Sequence, residues 1–228
     1  MKFAKTILFP IILLFTIYSY SQFPPKSFDG KVIFNDGTEK NGKVRFPIME
    51  TDVVIVLKYV DGDKDRIPIE EVKFIEVSYG KGNKALLSIG KSTKYSKRKK
   101  DFVWHKPGYG GKSWRNVGHV FGIHDDLVLT RHGASYEIKR KRGEEQFFTV
   151  YNAGYFSFIS HMDDEKMIPL SDIQSKKEKI RLRAINYFFT SEECRSIIIE
   201  KLTKDVTTLD GINEIIQEYA DCKNSKND

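Results

Sequence analysis

Apolar and polar residues alternate with a period near two through most of the chain and with a period near 3.6 only after Leu170, which divides it into a strand-forming and a helix-forming part. The first strong signal is a hairpin over Gly30 to Phe46. Lys31-Val32-Ile33-Phe34-Asn35 meets Asp36-Gly37, and a second arm runs to Lys43-Val44-Arg45-Phe46. A two-residue turn at Asp36-Gly37 would set Asn35 opposite Thr38, because Asp-Gly supplies the positive φ angles such a turn needs. A loop from Asp36 to Asn41 is the competing register. Gly42 falls inside the second arm, where a missing side chain marks a bulge or a close backbone approach. Val44 and Phe46 share one face, and Pro47 ends the strand.

Further strands are predicted at Asp52 to Val60, Arg66 to Ile69, Val72 to Tyr79 and Ala85 to Ile89. The continuous run Val53 to Leu57 suggests burial on both faces. A change of phase between Val72 and Phe74 on one side and Ile75, Val77 and Tyr79 on the other implies a bulge or a strand covered on both sides. Residues 91–116, rich in basic, glycine and aromatic residues, read as an irregular loop. Strand signals resume at Val117 to Ile123, Leu127 to Arg131, Tyr136 to Arg140, Gln146 to Tyr151 and Tyr155 to Ile159, at the spacing of an antiparallel meander.

Beyond Leu170, Ile180, Ala184, Ile185 and Phe188 or Phe189 fall at helical intervals. Thr190-Ser191-Glu192-Glu193 has the form of a capping box opening a second helix. A third follows Thr207-Thr208 and carries Ile212, Ile215, Ile216 and Tyr219 on one face. The expected fold is therefore α+β: antiparallel β, as a roll or barrel-like meander, over residues 22–170, then about three helices over residues 171–228.

The start of the chain adds an address. Lys2 and Lys5 precede an eleven-residue apolar segment, Ile7 to Ile17, followed by Ser19 and Ser21, the pattern of an export signal cleaved after Ser21. The segment is shorter than the ~20 residues a membrane-spanning helix needs. Removing 21 of 228 residues leaves 207, enough for one sizeable domain or two small ones. The formal charge falls from +7 to near +5, since only Lys2 and Lys5 are lost. In an oxidising compartment the two cysteines, Cys194 and Cys222, make a disulfide the economical reading. Cys194 lies in the first turn of the second helix and Cys222 at the end of the third. An antiparallel helix pair brings those ends together.

Few residues suggest chemistry. Gly111-Lys112-Ser113 resembles the end of a phosphate-binding loop, but the required earlier glycine would stand where Lys106 does, so no nucleotide is expected. The histidines His105, His119, His124, His132 and His161 show no metal-ligand spacing, and no serine sits in a nucleophile motif. No cofactor is expected. The best binding feature is positive charge beside aromatic rings: Lys94, Lys97, Arg98, Lys99 and Lys100 with Trp104, and a second cluster at Lys139-Arg140-Lys141-Arg142. Such sets suit anionic polymers, although solvated loops that prevent edge aggregation are the commoner use of such charge runs.

The segments Ser19-Tyr20-Ser21-Gln22, the Gly30 to Phe46 hairpin, Ile67-Pro68-Ile69-Glu70-Glu71-Val72, Tyr187-Phe188-Phe189 to Cys194, and Tyr219 to Cys222 together resemble a loose group of exported, functionally uncharacterised proteins of Bacteroidota-type Gram-negative bacteria. The resemblance implies a periplasmic, outer-membrane-associated or secreted address and carries over no catalytic residue. The expected function is a non-enzymatic module binding an envelope protein or anionic polymer. The alternatives are a polyanion-binding protein using the basic loop and an envelope-polymer hydrolase using His and carboxylate residues between Trp104 and Asp126.

Overall fold

The computed structural model describes residues 25–50, 52–104, 116–151, 157–202 and 205–226. The opening hairpin pairs β1 (Lys26–Phe34) with β2 (Glu39–Phe46), with Ile33 opposite Glu39 and Gly30 opposite Gly42. Its loop has three residues rather than two. The Phe34 amide donates to the Thr38 carbonyl and the Gly37 amide to that of Phe34, and only Gly37, at φ 84°, enters the left-handed region. Asn35 is drawn away from the expected pairing by distant partners: its amide donates to Glu71 O and its side chain to Glu70 O.

β3 (Ile48–Met49), β4 (Val54–Lys58), β5 (Lys64–Pro68) and β6 (Val72–Tyr79) follow. Burial in β4 alternates, with Ile55 and Leu57 inside and Val54 and Val56 half-buried, so the continuous apolar run is not buried equally on both faces. The phase change in β6 is a bulge, because Ile33 faces Phe74 while Phe34 faces Val72. The sheet runs β5-β4-β2-β1-β6 and continues into β7 (Asn83–Ser96), a fourteen-residue strand where a short one was expected.

β7 folds back on β8 (Asp101–Trp104), so residues 91–104 form a regular hairpin arm instead of an irregular loop. β9 (Asn116–His124), β10 (Leu127–His132), β13 (Ser157–His161) and β14 (Lys166–Pro169) extend the sheet from β7. Parallel pairing of β14 with β7, through Lys166 with Lys91 and Met167 with Ser92, closes a five-stranded ring. Gly90 permits this approach, since a Cβ there would lie 2.6 Å from Met167 Cε. The Lys91 amide donates to Glu165 O at 2.7 Å, and the two side chains form an ion pair at 2.6 Å.

The meander is broken in its middle. β11 (Ser135–Lys141) and β12 (Glu144–Val150) leave the ring and form a second sheet with β3. Buried Tyr136 fixes it to the ring by donating its hydroxyl to Val117 O at 2.6 Å and accepting the Gly133 amide at 2.9 Å.

Four helices complete the described chain: α1 (Leu170–Ile173), α2 (Glu178–Phe188), α3 (Arg195–Lys201) and α4 (Leu209–Ser225). The capping box does not form. α3 begins at Arg195, and Ser191 instead donates its amide to Tyr219 Oη. Thr208 does cap α4, accepting the Gly211 amide. Cys194 and Cys222 are disulfide-bonded with Cα atoms 5.9 Å apart, as the antiparallel α3 and α4 require.

The described residues form two apolar cores. One joins Val32, Val44, Leu57, Ile75 and Val77 with Tyr136 and Ile138 of the second sheet. The other packs Leu127, Leu129, Ile159 and Ile168 on the outside of the ring against Ala184, Phe188, Ile198, Ile216 and Tyr219 of the helices. Full burial of a large aliphatic or aromatic side chain contributes about 1.5–3 kcal/mol, so each core holds its own layer. No helix of the described residues is long and apolar enough to cross a membrane.

Candidate functional site

Lys97, Arg98, Lys99 and Lys100 form the exposed tip of the β7–β8 hairpin, where Lys100 adopts a φ of 53°. Lys94 is exposed and pairs with Val103, whereas Trp104 pairs with Thr93. Neighbouring positions on a strand point to opposite faces, so Lys94 and Trp104 are on different sides of the arm. Trp104 lies under Lys91, whose Nζ is 5.3 Å from the ring centre. Tyr95 and Phe102 meet edge to face at 5.7 Å and anchor the arm on the helix-side core. The expected basic and aromatic set is thus a four-charge tip with its aromatic rings committed elsewhere.

Among the described residues, no three of the His and carboxylate residues proposed for hydrolysis converge. His119 stacks on Phe147 at 4.8 Å, and burial lowers its imidazole below the usual range. His124 lies between Gln217 Oε1 and Asn213 Oδ1, at 2.5 and 2.7 Å, and so holds α4 on the ring. Asp125 pairs with Lys223 at 2.5 Å, and Asp126 meets His161 Nδ1 at 2.8 Å. His105, Tyr109, Trp114 and the Gly108 to Ser113 motif lie outside the described residues. Among the described residues no three His, Cys, Asp or Glu side chains are placed to hold a metal ion.

A different surface combines the features of a ligand site. Where the open end of the β1–β2 ribbon meets β11, a groove of about 530 Å³ has an apolar floor of Phe28, Phe46, Pro47 and Ile138. Phe28 and Phe46 cross edge to face at 5.8 Å, which fixes both rings. Pro47, joined to Phe46 by a cis peptide bond, ends β2 and turns the chain toward β3. Exposed Lys26, Lys139 and Arg140 stand on the rim. The one acid there, Glu137, is paired with Lys139. Arg140 donates Nε–H to Gly143 O at 3.0 Å, which holds its stem along the strand.

The second basic cluster supplied Lys139 and Arg140 to this rim, but the floor was not apparent from local pattern. Phe46 reads with Val44 as one face of the hairpin arm, Phe28 precedes the hairpin's expected start at Gly30, and nothing local joins either to Ile138. Comparison with protein-family models, curated proteins and solved structures found no match.

Proposed function

We propose that the protein is a non-enzymatic, exported cell-envelope module that binds its partner through the groove between the β1–β2 ribbon and β11. The observation that carries this reading is the union of an apolar floor with a basic rim: Phe28, Phe46, Pro47 and Ile138 below, Lys26, Lys139 and Arg140 above. Concave apolar sites with a few placed polar groups are the usual form of a ligand site. The Cys194–Cys222 bond suits an oxidising compartment, and the apolar segment after Lys2 and Lys5 suits export. The hydrolase alternative loses ground because His119 packs on Phe147, His124 is held by Gln217 and Asn213, and Asp125 and Asp126 are engaged by Lys223 and His161.

The test is affinity capture from the native envelope fraction with the wild-type chain and a Lys139→Glu, Arg140→Glu variant. The expected outcome is a crosslinked partner that the variant fails to retain. Identical capture by both proteins overturns the assignment of the groove.

A further inference from the structure

β11 is paired along its whole length with β12, from Ser135 opposite Val150 to Lys141 opposite Glu144. On its other side it is paired with β3 only through Ser135 and Tyr136. Among the described residues, the edge from Glu137 to Lys141 therefore has no strand beside it, and this is the edge that walls the groove. Its hydrogen-bonding phase follows from the Glu50 amide donating to Ala134 O at 3.0 Å. That bond makes Ser135 and Met49 a non-hydrogen-bonded pair. Because alternate residues of a strand turn their amide and carbonyl to the same side, Tyr136, Ile138 and Arg140 face the β3 side of β11, while Ala134, in the bend before the strand, gives its own amide to Val150 O. The peptide groups of Ile138 and Arg140 face the groove, while those of Glu137 and Lys139 serve β12.

We infer, resting on the reading of the groove as the binding site, that its occupant is an extended acidic peptide of a partner protein, added to β11 as a strand. Backbone groups of Ile138 and Arg140 supply the ladder, as in recognition by strand addition. An apolar side chain of the peptide packs on Phe28, Phe46 and Pro47. Carboxylates at its flanking positions meet Lys26 and Arg140, and charge complementarity selects an acidic segment over a neutral one. The free edge from Glu137 to Lys141 spans about 13 Å at ~3.3 Å per residue, which admits a peptide segment of four or five residues. Exposed unpaired edges invite such pairing, and the basic rim deters a second copy of this positively charged strand.

The experiment uses the full exported chain and a positional-scanning library of capped nonapeptides, with hydrogen exchange read at each backbone amide. The expected result is enrichment of Asp or Glu beside an aromatic or branched aliphatic residue, with slowed exchange at Ile138 and Arg140. Arg140→Glu should weaken the selected peptide at least tenfold. Arg140→Pro, which removes a groove-facing amide and leaves the β12 ladder, should do the same. Methylation of the peptide's own alternate amides tests the ladder from the ligand side if that variant fails to fold. Selected peptides without acidic enrichment, or binding that leaves Ile138 and Arg140 exchange unchanged, overturns the inference. Phosphatidylglycerol vesicles are the third arm. If they protect the groove while every peptide fails, the groove remains a binding site and the peptide assignment falls. If neither binds, both fall.

Discussion

Gly30 and Gly42 stand directly opposite each other in the first hairpin, and each is required by a different neighbour. A Cβ on Gly30 would lie 2.3 Å from Glu76 O, and one on Gly42 would lie 2.6 Å from Lys58 O. Both obstacles are backbone atoms of adjoining strands, so Gly30→Ala should cost about 2 kcal/mol as an overpacking substitution, read as a fall in denaturant midpoint at constant slope. Gly42 was legible as a close approach because it interrupts an alternating strand, whereas the neighbour it approaches was not. His132 makes the second residue-scale case. It faces the interior of the ring against Phe158, at 4.2 Å between ring centres, and burial pushes its imidazole down to about 3. The unfolded chain takes up a proton near pH 6.5 that the folded chain refuses, so stability falls as pH drops from there toward 3. That contribution is about 1.4 kcal/mol per pH unit over the window. His132→Gln should flatten the pH dependence of unfolding free energy by roughly that slope. His119, also lowered by burial, keeps a smaller acid sensitivity in both proteins. Equal slopes in the two proteins would show that His132 is not buried as a neutral group.

At the scale of elements, the sequence was most informative where the determining contacts are local. The start of the third helix after Thr207-Thr208 was legible, and the local bond that fixes it, Thr208 accepting the amide of Gly211 three residues on, has no distant competitor. Thr190 carried the same kind of signal and failed, since its segment answers to distant groups. Ser191 donates to Tyr219 Oη, while Arg195 donates to Phe189 O and Thr190 O, so the chain turns once more before α3 starts. The hairpin turn moved by the same logic, its Asn35 held by Glu70 and Glu71. The disulfide was readable because it needed only the helix order and the two helix ends. It closes the far end of α3 and α4 across 28 positions. On the loop-entropy account, Cys194→Ser with Cys222→Ser should lower unfolding free energy by about 3.5 kcal/mol. Differential unfolding with and without reductant checks this: reductant should lower the wild type toward the double variant and leave the variant unmoved.

At the scale of the molecule, alternation along the strands made an antiparallel β protein with a helical end readable, while closure was not. Closure depends on Gly90 meeting Met167 and on Lys91 meeting Glu165, pairs too far apart in sequence for any window to join. The groove was hidden for the same reason, since Phe28, Phe46 and Ile138 come from separate strands and two different sheets. The basic runs were visible because charge clustering is local, yet the structure divides them. Lys97, Arg98, Lys99 and Lys100 crown a projecting hairpin, whereas Lys139 and Arg140 border the apolar floor. The two surfaces should therefore separate by ligand. Replacing Lys97, Arg98, Lys99 and Lys100 by Gln should lower the salt needed to elute the protein from heparin and shallow its salt dependence, because polyanion binding scales with the charges engaged. Acidic-peptide binding in the groove should be unchanged by those substitutions. A variant carrying Gln at Lys43, Lys58, Lys64 and Lys84 removes the same net charge from positions outside the hairpin tip and controls for bulk electrostatics. If tip and control variants elute together, the hairpin tip is a solvated turn and its charges confer no polyanion site. If only the tip variant elutes early and it still binds the acidic peptide as the wild type does, the protein carries two chemically distinct binding surfaces, one reading charge alone and the other reading charge on an apolar strand.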